Sequence, residues 1–425
     1  MIRKGIFKKG ESQKFPFSTP PTPTSKTHTT AQKVRRMSGR ASKYYKSAQA
    51  DFFDGKIEKT NTILLIMFLK LNLRISLSIG LLASSYIMAG YIGFLVLSTP
   101  KKPDVTAPPP STVQSIPEIA SLVVVGDIML SRNVARHAEK SGRAGWIWEN
   151  IGSFLHLADF VVGNLEGPTD GTEVYSYQKV MNFNALPHLI HELPGMNFAA
   201  LNLANNHSMD QGEEGLSTTQ KLLSEIGIKA FGAGKTGTEA WQPQIVERNG
   251  IKIALIGASY AAYNDSGIGM NDRVARMQDA QKLTLAVQEA KKNADFVVVM
   301  MHGGAEYTRE LTKLQKDFSH SAIDAGADIV FGAHPHWTQG VESYQGKYIF
   351  YSLGNFVFDQ DFSEETKTGL AVQVSLQKEA GITTLQDITL HPILIENYGQ
   401  PRLISGEAKI KSLADIGQKE DTLRI

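Results

Sequence analysis

The sequence contains no cysteine. That excludes disulfides, zinc–thiolate sites and a thiol nucleophile, and it leaves the compartment open. Acidic residues are scarce at the start. Through Arg74 there are 4 Asp+Glu against 16 Lys+Arg, whereas the remainder holds 38 against 28, out of totals of 42 and 44. The overall charge of +2 therefore hides a basic head of net +12 followed by an acidic body of net −10. Residues 1–60 are rich in Lys, Arg, Ser, Thr, Pro and Gln, and Phe15 to Thr30 (FPFSTPPTPTSKTHTT) has no usable period. Residues 1–60 are expected to be a disordered head.

Long apolar runs are equally scarce. Ile75 to Leu97 gives 23 residues without a charge, enough to span a bilayer, with Lys70 and Arg74 just before it. The positive-inside rule then predicts a single-pass anchor with a cytoplasmic N-terminus and an extracellular C-terminal body. The length of the head and of the run argues against a cleaved signal peptide. The anchor directs the basic head to the membrane, so no nucleic-acid partner is expected. Residues 98–117 (STPKKPDVTAPPPSTVQSIP) form a Pro-rich linker, and the folded domain is expected over 118–425.

In that body, short apolar runs alternate with amphipathic stretches. Strands are predicted at Ser121 to Gly126, Phe160 to Gly163, Asn197 to Leu203, Ile251 to Gly257, Ala294 to Met301, Ala327 to Gly332 and Lys347 to Leu353. Pro243 to Arg248 pairs with the fourth through an Asn249-Gly250 turn. Helices are predicted at Ser217 to Ile226, Asp272 to Asn293 and Leu311 to Ala325. This reads as α/β with buried strands. After Gly369, Leu370 to Leu376, Ile382 to Leu390 and His391 to Glu396 alternate like antiparallel strands. Gly232-Ala233-Gly234-Lys235-Thr236 imitates the end of a P-loop, but Lys229 stands where that loop needs its first glycine.

The polar residues that end these runs are Asp127; Asn164 and Glu166; Asn206 and His207; His302; His334 and His336. Ligands of α/β proteins bind at the carboxyl ends of strands. Carboxylate oxygen with imidazole nitrogen suits divalent cations such as Mn, Fe or Zn. Pro335 restricts the backbone between His334 and His336 and could hold both rings toward one cluster. Turn and surface roles would account for any one of these residues. Five strands ending alike point to a common site.

The motifs that carry these residues are Gly126-Asp127-Ile128-Met129-Leu130-Ser131-Arg132, Asn164-Leu165-Glu166-Gly167, Asn205-Asn206-His207-x-x-Asp210-x-Gly212, His302-Gly303-Gly304-x-Glu306-Tyr307, Gly332-x-His334-Pro335-His336 and Ser352-Leu353-Gly354-Asn355-Phe356-Val357-Phe358-Asp359-Gln360. In that order, over Ser121 to Gln360, the chain resembles the CapA/PgsA family of poly-γ-glutamate capsule synthesis proteins. The resemblance implies a metallophosphoesterase-like four-layer α/β/β/α sandwich behind one transmembrane helix. It implies one or two divalent metal ions held by Asp127, Glu166, Asn206, His302, His334 and His336. His207 would act on the leaving group or orient phosphoryl oxygens, and Arg132 would clamp a phosphate or carboxylate. Asn164, Asp210, Glu306 and Asn355 would support the ligands from behind. Two positions depart from the phosphoesterase pattern: Met129 stands where a histidine is usual, and Glu166 replaces an aspartate. Both favour a single ion or a weak second one.

Three functions follow. The first is synthesis, export or tethering of poly-γ-glutamate or a related anionic capsule polymer, in company with membrane synthase subunits. The second is an extracellular metal-dependent hydrolase of a phosphoester or a polymer. The third is a non-catalytic polymer-binding module. The net −10 of the body opposes contact with a polyanion unless metal or a local basic patch mediates it.

Overall fold

The computed structural model describes residues 117–173, 182–261 and 272–423. The predicted head, the membrane span and all but the last residue of the linker lie outside these. Among the described residues, no helix is long and apolar enough to cross a membrane.

The described strands form two sheets. The first contains β1 (Glu118–Ile128), β2 (Phe160–Leu165), β3 (Phe198–Asn202) and β4 (Lys229–Phe231) in parallel. It is extended on the other side of β1 by antiparallel β12 (Thr368–Glu379), β13 (Ile382–Glu396) and β14 (Gln400–Leu403). Short β11 (Asn355–Val357) runs parallel to β1, and β15 (Thr422–Leu423) pairs with β13. In the second sheet β6 (Ile251–Ser259), β7 (Phe296–His302), β8 (Ile329–Ala333) and β10 (Lys347–Phe350) are parallel. Antiparallel β5 (Gln244–Arg248) and β9 (Val341–Tyr344) form its edges.

Alternate residues of β1 enter different cores. Leu122 and Val124 lie in the apolar layer between the sheets with Leu255 and Val298, while Val123 and Val125 face the other way. A strand buried on both faces must be apolar at every position, which is why Ser121 to Gly126 shows no polar alternation. Helices α1 (Arg132–Ser141) and α2 (Gly212–Glu225) cover the outer face of the first sheet through Val134, Ala135, Leu216 and Leu223. Helices α3 (Ala280–Asn293) and α4 (Lys313–Ala325) cover the second through Leu283, Val287, Phe318 and Ala322. The layers therefore run helices, sheet, sheet, helices. A fifth helix, α5 (Gly406–Asp415), contributes Leu413 to the layer between the sheets.

Two predicted elements change most. The helix expected from Asp272 begins at Ala280. Val274 and Arg276 instead bridge Ala233 and Ser259, and Val274, Ala275 and Met277 are buried there. Pairing with distant strands overrides the local helical period. The strands expected at 382–390 and 391–396 are one continuous β13, held in line by β12 on one side and β14 on the other. The sequence reading did not foresee β4, β9, β11, β14 or β15, whose two to four residues are too short to show a period.

Candidate metal centre at the strand ends

Register lines the polar residues up. Asp127 of β1 stands beside Asn164 of β2, and Asn164 beside Asn202 of β3. On the other side of β1, Asp127 pairs with Asn355. In the second sheet Ser259, His302 and Ala333 form the matching row, and the His334–His336 loop follows directly. The carboxyl ends of both sheets thus meet at one place.

Asp127 is fully buried. Its Oδ1 accepts from Asn164 Nδ2 at 2.8 Å, and its Oδ2 accepts from the His334 backbone N–H at 3.2 Å. The chain turns tightly to bring His334 there. His334 has φ 99° and His336 φ 58°, left-handed values that cost a residue with a side chain about 1–3 kcal/mol each. Such strain persists only where surrounding contacts over-determine it. Pro335 sits between the two histidines, and its carbonyl accepts from Tyr307 N–H at 3.0 Å.

Asp127, Glu166 and His336 place donor atoms within 4.8 Å of one another. Among the described residues, no N–H or hydroxyl donates to the buried Glu166 carboxylate; its hydrogen-bond partner is the neighbouring Asp127 carboxyl. Burial raises the pKa of Asp127, against the hydrogen bonds from Asn164 and His334. Burial, then Asp127 beside it, pushes Glu166 well above the usual carboxylate range; Glu306 adds to both and Arg132 opposes the rise at Glu166. The imidazoles are shifted in the opposite sense. Burial, then the neighbouring histidines, holds His302 and His334 well below the ordinary value. Burial draws His336 down to about 3, partly offset by its bond to Asn355. Paired carboxyls that resist ionising and imidazoles that stay neutral fit a divalent cation, which takes anionic oxygen and unprotonated nitrogen. Two buried carboxyls facing each other, with no N–H donor on Glu166, are the observation that favours this fit.

The other expected residues surround this trio. His302 ends β7, with Nδ1 3.6 Å from Asp127 Oδ1 and Nε2 2.8 Å from Asn206 Oδ1. His334 Nδ1 is buried without a partner. His207 lies beyond Asn206, with Nδ1 2.7 Å from Asp210 Oδ2 and Nε2 3.8 Å from Glu166 Oε1. Asp210 also accepts from the Phe183 backbone N–H at 2.6 Å, and the Phe183 ring stacks on His207 at 3.8 Å. Arg132, at φ 47°, is ion-paired with Asp359, and its guanidinium lies 4.8 Å from the Phe183 ring centre and 5.5 Å from that of Phe358. Glu306 is half-buried in the loop after β7, near enough to raise both carboxyls.

The structure also brings to the site or its edge Asn202 and Phe183, which no motif reading singled out as site residues, and Tyr307, which appears only as the end of a motif. Tyr307 stacks over His336 at 5.8 Å. Asn202 lies inside the predicted run Asn197 to Leu203 and reads as part of the strand. Phe183 follows a stretch without a motif.

The fold and this site define a two-sheet α/β protein with a buried acid–histidine cluster at its strand ends. The model of the bacterial capsule synthesis protein family PGA_cap matches residues 121–360, and the chain belongs to that family. It is 34% identical over 263 residues to the PGA biosynthesis protein CapA of Bacillus subtilis (strain 168), covering 61% of this chain and 69% of the relative. It is 32% identical over 299 residues to the capsule biosynthesis protein CapA of Bacillus anthracis, covering 68% and 70%. Among solved structures, the calcineurin-like phosphoesterase YfkN from Bacillus subtilis overlaps 71% of this chain and 97% of that one. Its TM-score is 0.39 at 14% identity, too loose a likeness to carry an inference.

Proposed function

We propose that this protein acts in the synthesis, export or tethering of poly-γ-glutamate or a related anionic capsule polymer. Its body works outside the cell, anchored by residues 75–97 beside membrane synthase subunits. The site at the strand ends holds a divalent ion, Mn, Fe or Zn, on Asp127, Glu166 and His336, with His334, His302 and Asn206 around them. The observation that carries this reading is the buried trio, within a chain of the capsule synthesis family. A bound cation also answers the charge objection, because it gives an acidic body one place where polymer carboxylates are attracted.

The His207–Asp210 pair favours a hydrolytic role as a second reading. When bound, a divalent ion supplies Lewis-acid polarisation and a lowered water pKa. Asp210 holds the proton of His207 on Nδ1, so Nε2 faces the Glu166 side able to accept a proton, or to deliver one once protonated. Phe183 fixes the plane of the ring. Arg132 is already neutralised by Asp359, so it would orient an anion rather than supply a full free charge.

The experiment is metal analysis and turnover on the purified full chain, with capsule polymer measured in a deletion strain. Poly-γ-glutamate and a generic phosphodiester are supplied with Mn. Stoichiometric metal with polymer loss on deletion supports the capsule role, and turnover adds the hydrolase. A chain without metal, whose deletion leaves the polymer intact, overturns both.

A further inference from the structure

We propose that the amide row Asn202–Asn164 locks the His302 proton on Nε2, takes that imidazole out of the donor set, and so limits the site to one ion. The one-ion clause rests on the metal reading above; the lock does not.

Backbone atoms, whose donor and acceptor roles are certain, orient the row. The Ala204 backbone N–H donates to Asn202 Oδ1 at 3.1 Å. The other end of that amide, Nδ2, therefore faces Asn164 Oδ1, at 3.0 Å. Asn205 is oriented in the same way. Its Oδ1 accepts from His207 N–H at 3.1 Å, and its Nδ2 donates to the Leu165 carbonyl at 2.8 Å and to Asn164 Oδ1 at 3.2 Å. With two donors on its oxygen, Asn164 has only Nδ2 left to present inward. That group donates to Asp127 Oδ1 at 2.8 Å and lies 3.2 Å from His302 Nδ1. An Nδ1 that accepts carries no proton, so the neutral ring carries it on Nε2. From there it donates to Asn206 Oδ1 at 2.8 Å. Both ring nitrogens are then committed, and neither has a lone pair for a cation.

The environment of Asn202 is built for it. A Cβ on Gly257 would come within 2.0 Å of Asn202 Oδ1, and one on Gly232 within 2.5 Å. Two glycines leave the volume that this amide fills. His336 contrasts with His302: Asn355 accepts from its Nδ1, which leaves the Nε2 lone pair free. One histidine is set to give electrons and the other to give a proton.

The test reads the tautomer directly. The full chain, with ¹⁵N-labelled histidine, is stripped by chelator, and the His302 signal is assigned by its loss in His302→Gln. The expected tautomer is Nε2–H. Measured at alkaline pH, where the added carboxyl is ionised, Asn164→Asp presents only acceptors, so His302 is expected to move its proton to Nδ1 and free Nε2. Titrated with Mn alone, the wild type is expected to take up one ion per chain and Asn164→Asp two. An Nδ1–H tautomer in the wild type overturns the lock, as does an unchanged tautomer in Asn164→Asp. Two ions in the wild type overturn the one-ion limit. A wild type that shows Nε2–H and binds no ion supports the lock while overturning both the one-ion clause and the metal reading. If Asn164→Asp does not fold, Asn202→Ala removes one of the two donors that orient Asn164. It is expected to bring the second tautomer into view, and a spectrum identical to wild type overturns the role of Asn202.

Discussion

Asn355 Oδ1 lies 2.8 Å from His336 Nδ1, and the far end of the same amide donates to the Thr366 carbonyl at 2.9 Å. A backbone oxygen thus decides which end of Asn355 faces the histidine, and hence where the histidine keeps its proton. Asn355→Ala removes that control and leaves Nδ1 without its acceptor. Metal affinity is expected to fall about 10–100-fold, the usual loss when the partner behind a ligand is removed. Competition with a chelator of known affinity measures it, and an unchanged affinity excludes His336 as a ligand.

The site gives the metal-free protein a defined pH dependence. Asp127 and Glu166 have pKa values raised by burial, so their contribution to stability is whole below the unfolded carboxyl values and is lost as pH rises. His302, His334 and His336 have lowered values. Their contribution is whole above about pH 6.5, the unfolded histidine value, and is lost as pH falls. Between about pH 4.5 and 6.5 the three imidazoles, which make stability rise with pH, oppose the two carboxyls, which make it fall. Glu166→Gln deletes one opposing carboxyl, so stability is expected to rise more steeply with pH, by at most one proton's worth, about 1.4 kcal/mol per unit. Denaturant melts of chelator-treated protein at several pH values read the difference, and equal slopes would remove Glu166 from this role.

Gly257 faces Asn202 across the two sheets. Its would-be Cβ lies 2.0 Å from Asn202 Oδ1 and 3.1 Å from the Gly232 backbone. Gly257→Ala is expected to destabilise by about 1–3 kcal/mol, the range for overpacking a closed interior. Thermal or urea melts would show it. The same variant is expected to bring the Nδ1–H tautomer of His302 into view, because Asn202 is displaced.

Asp210 is the only partner on His207 Nδ1 among the described contacts, at 2.7 Å. In the hydrolytic reading, Asp210→Asn is expected to lower turnover by on the order of 10²-fold while the fold and metal content persist. Steady-state kinetics on the poly-γ-glutamate or phosphodiester substrate checks this. Unchanged turnover would remove His207 from proton transfer.

Much of this architecture is legible in one dimension. Burial on both faces forces unbroken apolar runs, so the central parallel strands announce themselves, and the polar residue that ends each run can be named without coordinates. Amphipathic periods place α2 and α4 within a few residues. The short edge strands, and the stretch 272–279 that pairs where a helix was predicted, are not legible, because their conformation is imposed by partners elsewhere in the chain.

The sequence by itself determined the kinds of chemical group at the site, the strands that carry them and the family to which they belong. Tertiary structure alone decided which of those groups meet. Asp127 and His334 are 207 positions apart, and only the facing sheets bring the backbone N–H of one to the carboxylate of the other. It also decided which end of each asparagine points inward. An amide is nearly symmetric in shape and opposite in hydrogen-bonding sense at its two ends, so its orientation depends on its neighbours. For Asn164 those neighbours are Asn202 and Asn205, delivered by the adjacent strand and the loop that follows it.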